Sequence, residues 1–244
     1  MILVLTYHRI VENAGAIEGF FDITANELDA HLATAKQTWG GCVPLQSLHQ
    51  NNSAAGKRAG LLVTFDDGTA DHYLRATPLL EHHGLTGVFF VNTATLGASD
   101  YLSWTQCKEL VARGHAVESH SHDHVLLNGL AGDELHRQLT ESRRRLKDAG
   151  LGRGDLLAPP GGYWNDSVTE AAKNSGYFAL RTLEWGYNRN LAPLRLQSIT
   201  VNRKTAGKWF EPLISPRFET AKQFFYGAKE TLKQRLPGFY RHLR

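Results

Sequence analysis

Cysteine is scarce in this chain: among 244 residues there are two, Cys42 and Cys107. A pair so widely spaced builds neither a disulfide framework nor a zinc-binding cysteine motif, and both read as small hydrophobes in a reducing compartment. No run of about eighteen apolar residues occurs, which excludes a membrane-spanning helix. Met1 leads straight into Ile2-Leu3-Val4-Leu5, with no basic n-region, no long apolar segment and no small-residue cleavage site. That pattern reads as a first buried strand and not as a secretory leader, so the expected location is the cytoplasm. Internal repeats and low-complexity tracts are missing as well. Charge of one sign is in small overall excess, +3, yet it is unevenly placed. From Thr200 onward ten Lys and Arg face three Glu, a surplus of seven that leaves the preceding residues at −4. Such asymmetry suggests a tail with an acidic partner.

What is present is an alternation of short apolar runs with amphipathic stretches. Strands are expected over 2–6, 61–65, 87–91, 116–119, 155–158, 178–182 and 196–201. Between them lie helical patterns. Thr24 and Glu27 form a capping-box signature ahead of Leu28, Leu32 and Ala35, which keep one face to the core. Ser103 caps a helix over 104–113 that ends at Gly114. Further helices are expected near 70–83, over 132–149, and from Asn165 or Asp166 to Gly176. Six to eight strands separated by helices imply a parallel sheet covered on both faces, as an open doubly wound sheet or a closed barrel. The polar stretch 51–60 reads as a loop, and no domain boundary precedes the tail.

In parallel α/β folds, chemistry gathers where strands deliver their C-terminal ends. Four segments place polar groups there: Tyr7-His8, Asp66-Asp67-Gly68, His120 to His124, and Pro159-Pro160-Gly161-Gly162. Alone, Asp-Asp-Gly reads as a turn with solvated acids. His120-Ser121-His122-Asp123-His124 changes that, because three histidines in five residues at a strand end are hard to explain structurally. His120 and His124, four apart, can face one side of a turn or tight loop. Two imidazoles and one carboxylate make a common catalytic metal set that leaves positions open for water and substrate. His122, between the two, reads as exposed or as a supporting residue.

Thr64-Phe65-Asp66-Asp67-Gly68 and His120-Ser121-x-x-His124 resemble the first two motifs of the polysaccharide deacetylase family, the NodB-homology carbohydrate esterases of family four. The resemblance covers about residues 1–205, with 206–244 as a basic amphipathic extension. It implies an α/β fold, an irregular (β/α) barrel of about seven parallel strands. It implies a divalent metal, usually zinc, on Asp67, His120 and His124, with metal-bound water as nucleophile and Asp66 as base. The implied substrate is an N-acetylated sugar or glycan. Ala158-Pro159-Pro160-Gly161-Gly162 resembles the third motif, with Pro160 lining the substrate site and the Gly161 N–H as oxyanion donor. Ala158 stands where the family often has an arginine that orients the base, so that support is expected from elsewhere. Trp185 falls in the region of the fourth motif as a sugar-stacking candidate, with a core tryptophan as the bland reading. The fifth motif's histidine has no counterpart in Ile199 to Arg203. His8 is the preferred substitute for this general acid, Glu184 a weaker one, and a hydrogen-bonded structural histidine is the plain reading of His8.

Three functions compete: N-deacetylation of a sugar, deacylation of a non-sugar amide, and a catalytically silent glycan-binding protein that kept its metal. Retention of Asp66 beside the triad favours activity, since a binding protein has no use for the base. In the tail, Phe218, Ala221, Phe225, Ala228, Leu232 and Leu236 recur at helical steps with lysines mostly off that face. Such a helix either packs on the barrel or lies on an anionic membrane. No nucleic-acid motif accompanies the charge. The membrane reading predicts that the intact chain partitions to membranes in fractionation and that a chain cut after Ser215 does not. Equal partition of the two leaves the packed helix.

Overall fold

The computed structural model describes residues 1–48, 59–130, 132–151, 154–189 and 192–218. The parts of the tail helix and of the 51–60 loop beyond these lie outside the described residues. The chain runs through β1 (Ile2–Tyr7), β2 (Ile10–Val11), β3 (Ile23–Thr24) and α1 (Ala25–Trp39), then β4 (Gly60–Phe65). A π-helical turn (His72–Ala76) leads into α2 (Thr77–His82), followed by β5 (Gly87–Val91), α3 (Trp104–Ala112), β6 (Ala116–Ser119) and α4 (Gly132–Asp148). It ends with β7 (Leu156–Leu157), α5 (Asp166–Asn174), β8 (Ala179–Leu180), β9 (Ile199–Thr200) and α6 (Phe210–Ile214).

Among the described residues seven strands form one parallel sheet in the order β8-β7-β6-β5-β4-β1-β9, while β2 and β3 pair separately. The two ends of this sheet meet. Leu196 bridges Arg181 just past β8, with the Thr182 N–H donating to the Leu196 carbonyl at 2.8 Å. A few residues on, Ile199 and Thr200 pair with Leu5 and Thr6 of β1. One short segment therefore joins both edges and closes an irregular barrel, the closed alternative of the two that the alternation allows.

Period-two alternation sorts the side chains. Val4, Leu62, Val88, Phe90, Leu156, Ala158 and Ala179 form one apolar cluster, the barrel interior. Leu3, Leu5, Val63, Phe65 and Phe89 belong to another, packed outward on α1, α2, α3 and α6. Leu157 and Leu180 pack outward on α4 and α5 through Leu139, Val168 and Ala172. Strands buried on both faces explain the nearly continuous apolar runs. Among the described residues the expected strands and the helices between them are present, with β7, β8 and β9 shorter than expected. Cys42 and Cys107 are free thiols, and burial pushes Cys107 up to about 12.

Thr24 caps α1 through the Glu27 N–H, and Glu27 reaches back to the Thr24 N–H at 2.9 Å, the expected capping box. The same carboxylate binds Arg203 at 2.6 and 2.9 Å, tying the start of α1 to the segment after β9. Burial alone would raise the Glu27 pKa, but these bonds from Arg203 and Thr24 bring it from 4.5 down to about 2. A depressed carboxylate stabilises the fold above its unfolded pKa and loses that contribution as pH falls through the folded one. Glu27→Ala is expected to cost about 1–2 kcal/mol. Thermal melting should therefore drop by roughly 2–4 °C per kcal/mol at neutral pH, and the gap to wild type should close as pH falls from 4.5 towards about 2.

Candidate metal and catalytic site

The inward rows of the strands continue past their C-terminal ends, and that continuation delivers the site. Positions 2, 4 and 6 of β1 point into the barrel, so His8 does as well; positions 62 and 64 of β4 do the same for Asp66. Asp66 is 2% exposed. The next residue would face outward on a regular strand. Asp67 instead takes φ +76°, a left-handed conformation that turns its carboxylate back over the barrel mouth. Gly68 follows at φ +69°, and a Cβ there would sit 2.9 Å from Val91 Cγ1, so only glycine completes this exit.

The second motif uses the same device. His120 is inward at the end of β6, after which Ser121 (φ +67°) and His124 (φ +58°) fold the loop back. Asp67, Ser121 and His124 are the non-glycine residues with positive φ among those described, and all three lie in the two motifs. Strain of this kind is held at sites that use it. As a result Asp67, His120 and His124 present ligand atoms within 4.8 Å of one another. Asp67 Oδ1 lies 3.3 Å from His120 Nε2 and 3.2 Å from His124 Nε2. His120 Nδ1 sits 2.6 Å from the Ala158 carbonyl, which takes its N–H and leaves the Nε2 lone pair toward Asp67 and His124. Two imidazole nitrogens and a carboxylate oxygen, converging at a half-open mouth, suit a divalent cation with free coordination positions. Burial pushes Asp67 up, but the bonds to His120 and His124 win and hold it well below the usual carboxylate range. His124 is raised in return by that bond.

Asp66 is held by a residue that the sequence reading passes over. Arg181, 1% exposed, donates from Nη2 to Asp66 Oδ1, its guanidinium resting 5.1 Å above the Phe90 ring. Leu157 pairs with Leu180, so Ala158 and Arg181 are inward neighbours on adjacent strands. The arginine missing at Ala158 is thus supplied one strand over, and Ala158 leaves it room. Burial pushes Asp66 up; Arg181, followed by His120 and His8, outweighs it and keeps the carboxyl below its ordinary pKa. The signal was a lone charged residue inside the apolar stretch Phe178 to Thr182.

His8 Nε2 lies 3.9 Å from Asp66 Oδ2, and its ring stacks on Phe21 at 4.6 Å. Burial lowers its pKa despite the pull of Asp66 and Asp67, so it rests as a neutral imidazole. The loop carrying it is pinned by the turn after Gly68: His72 Nε2 bonds the His8 carbonyl at 2.7 Å, and Asp71 accepts the Ile10 N–H at 2.6 Å. Pro160 is buried in a tight turn with Gly161 at φ +66°, where a Cβ would meet Leu126, two residues past His124, at 3.2 Å. The third motif therefore borders the metal loop. His122 lies behind the ligands, 2.8 Å from Thr93 Oγ1.

Trp185 and Glu184 are engaged elsewhere in the structure. Trp185 packs edge-on to Tyr187 (5.6 Å), which stacks on Trp39 at the end of α1, and the neighbouring Asn188 pairs with Ile2 at the start of β1. The chain there is already descending to the opposite end of the barrel, so Trp185 joins the outer core instead of the sugar site. Glu184 is engaged bidentately by Arg195 at 2.7 and 3.1 Å and is no spare acid.

Removing Arg181 takes away the largest of the influences that oppose burial at Asp66. A group that works ionised then loses activity at higher pH, so Arg181→Met is expected to move the acid limb of the pH–rate profile upward. An unmoved limb would show that Arg181 does not set the charge of Asp66.

A family model described as polysaccharide deacetylase matches residues 54–180. Among curated proteins the chain is 29% identical over 151 residues to a putative polysaccharide deacetylase, YxkH, of Bacillus subtilis, covering 62% of this chain and 54% of that one. It is 25% identical over 131 residues to a peptidoglycan-N-acetylglucosamine deacetylase of Bacillus cereus, covering 53% and 58%. The chain thus spans a little over half the length of these relatives. In fold it is similar to the Streptococcus pyogenes deacetylase PplD in complex with acetate, with TM-score 0.77, 22% identity and coverage of 88% and 98%. It is also similar to IcaB from Ammonifex degensii, with TM-score 0.74, 23% identity and coverage of 87% and 96%.

Proposed function

The chain belongs to the polysaccharide deacetylase family, and on that premise we propose that it hydrolyses the N-acetyl group of a sugar in a glycan or glycan precursor. The observation that carries this reading is the convergence of Asp67, His120 and His124 beside a buried, ionised Asp66. A divalent cation held by these three, zinc by the character of the donor set, would polarise the amide carbonyl and acidify the attacking water.

The protein's own groups do the rest. Asp66, fixed by Arg181 in one orientation, accepts the proton of the attacking water. The backbone N–H of Gly161, on the rim beside the metal loop, donates to the oxygen that gains charge as the carbonyl becomes tetrahedral. His8, neutral at rest and 3.9 Å from Asp66, takes up that proton and passes it to the leaving nitrogen as the C–N bond breaks. Acetate and a free amine are released, and the proton taken from water ends on the amine. The Arg181 clamp removes one reason to read the protein as silent, since the base keeps its support despite Ala158.

The test compares bound Zn2+ and acetate release from N-acetylated sugar oligomers in the wild type, Asp66→Asn and His8→Gln. Both variants are expected to retain wild-type metal content and to lose turnover by about 10²–10⁴-fold. A wild type without metal would refute the triad, and full turnover in Asp66→Asn would refute the base.

A further inference from the structure

We propose that Gln138, on α4 and away from the substrate mouth, is a positioning residue that holds the His120–His124 loop in its metal-binding shape. The inference rests on the metal reading of Asp67, His120 and His124. Of these ligands, His120 is fixed by β6 and by the Ala158 carbonyl, and Asp67 by the turn into Gly68. His124 has neither support. It is the ligand farthest along the loop, its side chain is 45% exposed, and its φ is +58°. Its place depends on how the middle of the loop, His122 and Asp123, is held.

Gln138 does that holding. It is fully buried, and its Oε1 accepts the backbone N–H groups of both His122 (3.2 Å) and Asp123 (2.9 Å). Its Nε2 donates to Asp123 Oδ2 at 2.8 Å and to Glu134 Oε1 at 3.0 Å, so both ends of the amide are engaged. The loop's other side is bound by backbone: the Ala94 N–H donates to the His122 carbonyl at 3.1 Å, and Thr93 Oγ1 meets His122 Nδ1. Arg145, also on α4, donates to the Thr93 carbonyl at 2.6 Å. One helix thus grips the loop directly and also grips the segment that backs it. A neutral amide suits the task, because it satisfies two loop N–H groups without competing for the cation.

Zn2+ titrated against a chromophoric chelator, with the full chain and with thermal melting of the metal-free protein in parallel, tests this. Gln138→Leu lacks the acceptor and Gln138→Asn lacks the reach; both are expected to bind Zn2+ roughly 10–100-fold more weakly. Gln138→Glu keeps an acceptor for both N–H groups but sets its other carboxylate oxygen against Asp123 and Glu134; combined with Asp123→Asn and Glu134→Gln, whose amides can donate to it, this Glu variant stays within about fivefold of wild type. Leu139→Ala opens the core on the same helix; it lowers the melting temperature and leaves affinity within about twofold. Wild-type affinity in the Leu and Asn variants, or an equal loss in Leu139→Ala, overturns the proposal. If Gln138→Leu does not fold, equal affinities of the Asn and Glu variants do so. A wild type that binds no Zn2+ refutes the metal reading itself, an outcome distinct from these.

Discussion

A single ion pair inside the barrel, Arg181 with Asp66, is the interaction on which the site depends. Removing two charges from water costs several kcal/mol per ion, and here the close contact of Arg181 Nη2 with Asp66 Oδ1 offsets it while Arg181 Nε and Nη1 stay buried without a hydrogen-bond partner. The Phe90 ring beneath the guanidinium adds a polarisable floor. A second acid in the same interior shows what happens without such a partner. Glu118, two residues before His120 and bonded by the Leu156 N–H, is pushed up to about 8 by burial and is mostly protonated at neutral pH. Two carboxyls in one barrel thus carry different charges because one has a cation against it. Asp66 is kept below its ordinary pKa by the fold itself, through Arg181.

Much of this was legible from residue order. Parallel alternation, the capping box at Thr24 and Glu27, the Ser103 cap and the four chemical segments at strand ends all follow from local patterns. Residue type and spacing carried two histidines and an unspecified carboxylate, and the choice of Asp67 beside His120 and His124 came from the likeness of the motifs to those of a known family. Arg181 was not legible, since its role depends on which strands are neighbours: only the pairing of β7 with β8 makes position 181 the lateral substitute for 158. Trp185 stayed open for the related reason that a tryptophan fits a sugar face and a core equally well, and its packing against the outer core depends on the downward course of the chain to Asn188. Gln138 sits in a charged helix, and nothing local announces that its amide turns inward.

The turns at the site share one physical logic. Asp67, Ser121 and His124 adopt left-handed conformations costing roughly 1–2 kcal/mol each, more than a solvated loop would tolerate. They persist because they are over-determined from outside, by the close approach of Gly68 to Val91, by the Ser119 hydroxyl under the Ser121 N–H, and by Gln138. Precision in the ligand set is therefore a property of the surrounding helices and strand ends as much as of the ligands.

The segment that joins both sheet edges has a consequence for how the molecule forms. Leu5 and Ile199 become partners only after almost the whole barrel has been made, so the contact closing the ring is among the most distant in sequence. Such non-local pairings slow folding, because loop entropy is lost before the contact rewards it. Until residues 196–201 emerge from the ribosome, β1 and β8 are open edges, able to pair with other chains. Closure also caps the strand whose end carries Arg181. Closure of the ring is thus coupled to the last step of translation of the barrel, and a nascent chain short of that step has an exposed sheet edge beside the strand that carries Arg181.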